Sequence, residues 1–318
     1  MKRVPKIIFD TDIGWDCDDA GALGLLHRLC DAGEAELLAT VHCYDHPYVA
    51  GCLDAINTYY GRPVPVGLNY DQSRNHPDTY AKALSEQFPN RYPAEVIGTP
   101  AAPADSLALM RKLLSEAEDA SVTIVTVGDQ ANLARLVTSE PDEYSPLNGV
   151  DLITKKVART VVMGGRFYEG WPMVIYSDNI NNIGPVTTEW NIFDHIPAAQ
   201  TVARLWPGEL VYSSTEIGTY IVTMKGWKGE TAPHDPVAVS YGIHNGGVGR
   251  SSWDHTAVLE AVRPGAYWQY RPWGRVSVND AGITSHRMDG EGKQTFLLPK
   301  VDYTAVADVI DDIMGRME

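Results

Sequence analysis

Cysteine is scarce in this 318-residue chain. There are four, Cys17, Cys30, Cys43 and Cys52, all near the N-terminus, and no C-x-x-C pair occurs. That spacing argues against a disulfide framework and against a thiolate zinc site, and reads as reduced thiols packed like small hydrophobes. Positive charge is scarce as well: 26 Lys and Arg stand against 41 Asp and Glu, a formal net charge of −15. A nucleic-acid partner needs clustered Lys and Arg to displace phosphate counterions, so none is expected. Long apolar runs are missing. Nothing approaches the roughly 20 residues of a membrane span, and no membrane partner is expected. The apolar stretch after Met1-Lys2-Arg3 ends at Asp10, too short for a signal-peptide core, so a cytoplasmic location is expected. What remains, 44% hydrophobic and 21% charged residues, suits a globular protein that handles metals or small neutral substrates.

Patterning predicts alternating strands and helices. Strands are expected at Val4–Phe9, Glu36–Val41, Val64–Gly67, Ser121–Val127, Val157–Met163 and Glu209–Ser213. Helices are expected at Ala20–Arg28, Tyr48–Tyr60, Asp105–Ala117, from near Asn132, and at Ala198–Leu205. The alternation implies an open, mostly parallel, doubly wound α/β sheet flanked by helices, a Rossmann-like arrangement. Two segments break it. Arg166–Thr188, rich in Gly, Pro, Asn and aromatics, reads as a functional loop inserted in one domain spanning 1–318. Ala266–Arg287 reads as a small β appendage. In open α/β sheets, sites form at the carboxyl ends of strands. Three candidate motifs stand there, after Phe9, Thr126 and Val162.

The first motif carries five acidic side chains within ten residues: Asp10, Asp12, Asp16, Asp18 and Asp19. Carboxylates this close repel, so the segment needs either protons or a cation. A hard divalent cation with oxygen ligands meets that need. An EF-hand is excluded, because its sixth and twelfth loop positions, normally Gly and Glu, are Trp15 and Gly21. The bland reading is that the aspartates cap the following helix in solvent, which any one of them could do. His234-Asp235, in a Pro-flanked loop, says little alone.

Taken together, Asp10-Thr11-Asp12-Ile13-Gly14, Asp18-Asp19-Ala20, Val127-Gly128-Asp129-Gln130-Ala131-Asn132-Leu133-Ala134, Val161-Val162-Met163-Gly164-Gly165, Glu189-Trp190-Asn191-Ile192-Phe193-Asp194 and His234-Asp235 resemble the inosine-uridine preferring nucleoside hydrolase family, in order and across most of the chain. The resemblance implies Ca²⁺-dependent hydrolysis of the N-glycosidic bond of a ribonucleoside. Asp12 would ligate the metal and serve as general base toward a water at the metal. Asp19, the Val127 carbonyl and Asp235 would complete the ligands. Asp18 would bond ribose hydroxyls; Met163, Asn182, Glu189 and Asn191 would line the sugar pocket; His234 would sit near the leaving base. A homodimer or homotetramer is implied. The chemistry is consistent: a metal acidifies water and orients the diol, carboxylates stabilise an oxocarbenium-like ribose, and a histidine protonates the departing base.

The chain departs from the family pattern in places. Two extra residues separate Gly14 from the Asp pair, so Asp16 could compete as a ligand. His42-Cys43-Tyr44-Asp45-His46 stands where the family has Gly-Asn, leaving Asp45 or His46 to replace that Asn. Ser252-Trp253-Asp254-His255-Thr256-Ala257-Val258 and the aromatics Phe167, Tyr168, Trp171 and Tyr176 could stack on a base or pack the core. Three other functions stand beside the main one: hydrolysis of another N-ribosyl compound, a non-catalytic nucleoside or sugar sensor, and a haloacid-dehalogenase-type phosphotransferase. The last also begins strand-Asp-x-Asp but expects its acidic pair much later.

Overall fold

The fold was analysed in a computed structural model that describes residues 4–72, 76–92, 95–167 and 188–315. Strand β1 (Lys6–Thr11) leads to helix α1 (Asp18–Asp31), β2 (Glu36–His42) to α2 (Val49–Tyr59), and β3 (Val66–Leu68) to α3 (Ala81–Gln87). Short β4 (Ala104–Asp105) opens into α4 (Ser106–Glu116), and β5 (Val122–Thr126) into α5 (Ala131–Thr138) and α6 (Gly149–Lys156). After β6 (Val157–Met163) come α7 (Trp190–Asp194), α8 (Ile196–Leu205), β7 (Leu210–Ser213), α9 (Thr215–Gly218) and β8 (Val222–Thr223). The chain closes with α10 (Pro236–Asn245), β9 (Arg250–Ser251), α11 (Trp253–Val262), β10 (Trp268–Tyr270), β11 (Gly274–Val278), β12 (Thr284–Met288), β13 (Gln294–Pro299) and α12 (Tyr303–Met314).

Eleven strands form one sheet in the order β12-β11-β13-β7-β6-β5-β1-β2-β3-β4, with β10 added on β13. From β4 through β7 to β13 all pairs are parallel. Strand residues alternate between two apolar layers. Ile7 and Phe9 enter the layer shared with α1, α2 and α11, while Ile8 enters the layer beneath α4, α5 and α8. Covering both faces is what lets these strands be almost wholly apolar. The chain runs from β1 outward through β2 to β4, then returns to β5 on the other side of β1 and proceeds to β7. The order therefore reverses between β1 and β5, and a crevice opens at their carboxyl ends.

The expected strands and helices of the first 213 residues stand within a few residues of their predicted bounds. One difference matters for chemistry: α1 begins at Asp18, not Ala20, so both paired aspartates lie in its first turn. The β appendage is not separate. β13 pairs with β7 in parallel, and β10 and β11 pair antiparallel with β13, so the segment extends the main sheet. The four cysteines are unbridged. Among the described residues, no helix is long and apolar enough to cross a membrane.

Candidate active site

Asp10, the last aspartate within β1, is fully buried and serves as an anchor. It accepts from Thr126 Oγ1 at 2.8 Å and from Asn132 Nδ2 at 2.8 Å, tying β1 to β5 and α5. Burial pushes its carboxyl up to about 8 despite those bonds. Asp12 follows, just beyond the strand. Gly128 passes so close that a Cβ there would lie 2.8 Å from the Asp12 backbone nitrogen, which leaves glycine as the residue that fits. Burial first, and then the Asp129 carboxylate, push Asp12 up to about 7.

Asp18 and Asp19 point into the same space from α1. Asp254, in the first turn of α11, joins them: carboxylate oxygens of the three lie within 4.8 Å of one another, all buried. Thr11 Oγ1 donates to Asp19, and the Asp254 backbone N–H points at Asp18 at 3.4 Å. Burial raises all three carboxyls well above the ordinary range, and each is pushed further by its neighbours. The approach of α11 to α1 depends on Gly21. A Cβ there would fall 2.4 Å from His255 Nε2 and 2.5 Å from Tyr241 Oη. The small-residue start of α1 thus admits the helix that carries Asp254.

A polar cluster adjoins Asp12 at the ends of β5 and β6. Asn191 Nδ2 donates to the Val127 carbonyl at 2.7 Å and lies 3.2 Å from both the carbonyl and the Sδ of Met163. Glu189 caps α7, accepting from Asn191 N (2.8 Å) and Ile192 N (3.1 Å), and also from Gly165 N at 3.0 Å. Burial raises its carboxyl to about 7. Val127, Met163, Glu189 and Asn191 are therefore together. Asn182, Tyr168, Trp171 and Tyr176 lie outside the described residues.

His234 and Asp235 are elsewhere, which corrects the expectation that they join the cluster. Asp235 caps α10, accepting from Val237 N at 2.9 Å, with the Tyr59 hydroxyl and the Arg28 guanidinium beside it. Arg28 lies in the last turn of α1, whereas Asp18 lies in the first. Nine residues at 1.5 Å per residue put that end roughly 14 Å from Asp19. His234 lines a cavity of about 300 Å³ with Ala55, Tyr59, Phe88 and Pro89. Phe167 is half-buried and packs against the core, stacked on Phe296 with centroids 4.6 Å apart. Trp253 is also packed inward, its Nε1 donating to the Thr215 carbonyl and to Thr219 Oγ1.

Other residues stand where sequence reasoning did not look. His76 Nε2 is 3.2 Å from Asp194 Oδ2, and in its protonated form it favours the Asp12 carboxylate. Around its ring are Tyr44 (5.3 Å), Trp15 (6.0 Å) and Trp190 (6.4 Å). Tyr44 Oη lies 3.5 Å from the Asp12 carbonyl, so in the segment replacing the usual Gly-Asn it is Tyr44 that faces Asp12. Asp45 instead pairs its backbone with Gln72, and His46 bonds the Pro47 carbonyl. Asp129 and Asp194 had a signal, since both lie inside matched motifs. His76 had none, standing in an aperiodic polar stretch.

The fold and the carboxylate cluster at the switch point define a class: an α/β protein with a buried acidic site able to hold a divalent metal. The family model of inosine-uridine preferring nucleoside hydrolases matches residues 7–306, and the chain belongs to that family, whose members hydrolyse N-ribosyl bonds. Solved structures agree in fold. An inosine-uridine preferring nucleoside hydrolase from Bacillus anthracis is 18% identical, with a TM-score of 0.69 over 98% of this chain and 99% of that one. A purine-preferring ribonucleoside hydrolase from Gardnerella vaginalis is 16% identical, with a TM-score of 0.66 over 98% of each. The type III effector XopQ, in complex with adenosine diphosphate ribose, is 14% identical, with a TM-score of 0.63 over 99% of this chain and 94% of that one. No curated protein sequence matches the chain.

Proposed function

We propose that this chain hydrolyses ribonucleosides to free base and ribose with the help of one Ca²⁺. The observation that carries the reading is the convergence of the buried Asp18, Asp19 and Asp254 carboxylates beside Asp12. Three buried carboxylates so close are stable as anions only with a cation among them, and all-oxygen donors suit a hard ion. Asp12, Asp19, Asp254 and the Val127 carbonyl, which keeps a second lone pair beside its bond to Asn191, would hold the ion. When bound, it would lower the pKa of water and fix the ribose diol.

The remaining steps fall to the chain's own residues. Asp12 takes a proton from the attacking water. Asp18 accepts from the ribose hydroxyls. Asn191 and Glu189 bond the sugar, and the surrounding carboxylates stabilise positive charge as the glycosidic bond lengthens. His76, paired with Asp194 and framed by Trp15, Tyr44 and Trp190, delivers a proton to the departing base, the role first expected of His234. The aromatic frame offers faces on which a base can stack.

The test is a panel of purine and pyrimidine ribonucleosides assayed for reducing sugar, with chelator and after Ca²⁺ is restored. Wild-type protein is expected to release base only with Ca²⁺, and Asp12→Ala to be slower by ~10²–10⁴-fold. Equal, slow release by both proteins would overturn the reading. A thermal shift with nucleoside but no turnover would identify a binding protein instead.

A further inference from the structure

Asp16 belongs to the two residues that lengthen the loop before the Asp pair, and the hydrolytic reading gives it no task. The structure holds it firmly. Arg250 Nε donates to its two carboxylate oxygens at 3.0 and 3.1 Å, and Arg250 Nη2 makes a third contact. His244 Nε2 is 3.4 Å from the same carboxylate, while His244 Nδ1 lies 3.2 Å from the Trp15 carbonyl. The Cys17 backbone N–H donates to Asp16 at 2.7 Å. The guanidinium also lies over the Trp253 ring, 5.1 Å from its centroid. Both partners are largely shielded, with side-chain exposures of 24% and 17%, so this is not one of the solvated surface pairs that contribute little.

The placement of the two ends is informative. Asp16 lies two residues before Asp18, in the loop that enters α1. Arg250 lies in β9, four residues before Asp254, and stacks on the residue immediately preceding it. A planar guanidinium gripping one carboxylate in a fixed orientation sets the distance and angle between the segments it joins. Those segments deliver the carboxylates of the cluster from two different helices.

We propose that Asp16 and Arg250 form a positioning clasp for the cation site: they fix Asp254 of α11 against Asp18 and Asp19 of α1, and Asp16 keeps the guanidinium from turning onto Asp18. The proposal rests on the reading of Asp19 and Asp254 as ligands of a cation, with Asp18 beside it. It opposes a simpler expectation. If Arg250 acted only through its charge, it would compete with the cation, and removing it would tighten cation binding. A clasp works in the other direction.

The experiment measures Ca²⁺ affinity of the full-length protein by calorimetry, and Tb³⁺ affinity by luminescence, at one pH. Asp16→Asn, Arg250→Ala, Arg250→Lys and the double variant Asp16→Asn/Arg250→Ala are compared, with circular dichroism as the check of folding. Each single variant is expected to lose ~10–100-fold in affinity, the range for residues that orient metal ligands. The double variant should be no worse than the poorer single, because the two residues act as one unit. Arg250→Lys, which keeps the charge but not the fork, should fall with the others. Raising Ca²⁺ should restore turnover in the variants. Wild-type or tighter Ca²⁺ affinity in Asp16→Asn and Arg250→Lys overturns the clasp, and if the other variants do not fold, Arg250→Lys decides. Asp254→Asn separates the two ideas. If it loses the ion while Asp16→Asn and Arg250→Lys keep it, only the clasp falls. If wild-type protein binds neither ion, the cation site falls and takes the clasp with it.

Discussion

The two ends of α1 make an instructive pair. At its first turn, Asp18 and Asp19 meet Asp254 at the start of α11; near its last turn, Arg28 and Tyr59 meet Asp235 at the start of α10. Each end thus receives an aspartate from the N-terminus of another helix, and each aspartate adjoins a histidine. They differ in what surrounds the carboxylate. Asp235 is satisfied by backbone N–H groups of its own helix, with an arginine nearby. Asp254 is surrounded by Asp18, Asp19, Asp12 and Asp16, all of which oppose its ionisation. A capped aspartate is already paired and has little to offer a ligand. A buried carboxylate among carboxylates is an arrangement that a cation completes.

The largest expected effect breaks the pair apart. Asp254→Ala should lower nucleoside hydrolysis by ~10³-fold or more, since it removes a ligand from the ion that stabilises transition-state charge. Asp235→Ala should leave turnover nearly unchanged and cost about 1 kcal/mol of stability, as loss of a helix cap does. Steady-state rates and thermal midpoints measured on both variants check this, and equal rate losses would erase the distinction between the two ends.

The histidines give the next contrast. His76→Ala should reduce kcat ~10²-fold on purine nucleosides, whose base leaves poorly without a proton. On 4-nitrophenyl riboside, whose leaving group needs none, the same variant should stay near wild type. His234→Ala should change neither.

The smallest effect concerns stability alone. His27, in the second half of α1, is buried with its Nε2 2.9 Å from Asn57 Oδ1 and stacks on Tyr60. Burial lowers it from 6.5 to about 4. Because the folded state holds this ring neutral, its contribution to stability is complete above pH 6.5 and is lost as pH falls toward 4. A shift of that size corresponds to about 3 kcal/mol at most. Thermal midpoints from pH 7 to 4 should fall less steeply for His27→Gln than for wild type. Identical slopes would exclude this histidine as the source.

Much of this molecule was legible because its signals are local. Val157–Met163 is a strand from its β-branched run alone, and the observed bounds match the predicted ones. The acidic loop was visible through its density, and the family resemblance singled out Asp12, Asp18 and Asp19 within it and Val127, Met163, Glu189 and Asn191 beyond it. Asp254 was in view only as part of a Trp-containing segment that could stack on a base. Its neighbour Trp253 drew that reading, yet the indole is turned inward and the carboxylate is the group presented to the cluster. His76 carried no pattern, because its partners come from three separate segments: Trp15, Tyr44, and the Trp190 and Asp194 of α7.

The sequence by itself determined the alternation of strands and helices and the acidic loop that follows the first strand. Those follow from residue periodicity and from repulsion among neighbouring carboxylates, both of which act over a few residues. Which distant aspartate completes the cluster was decided only in three dimensions. Two helix starts offered one each, Asp235 and Asp254. The glycine at position 21 lets α11 close against the beginning of α1, while α10 sets Asp235 beside the end of that helix. That choice depends on how closely two helices can pack, a property of surfaces meeting across more than 200 residues of chain, which no local pattern encodes.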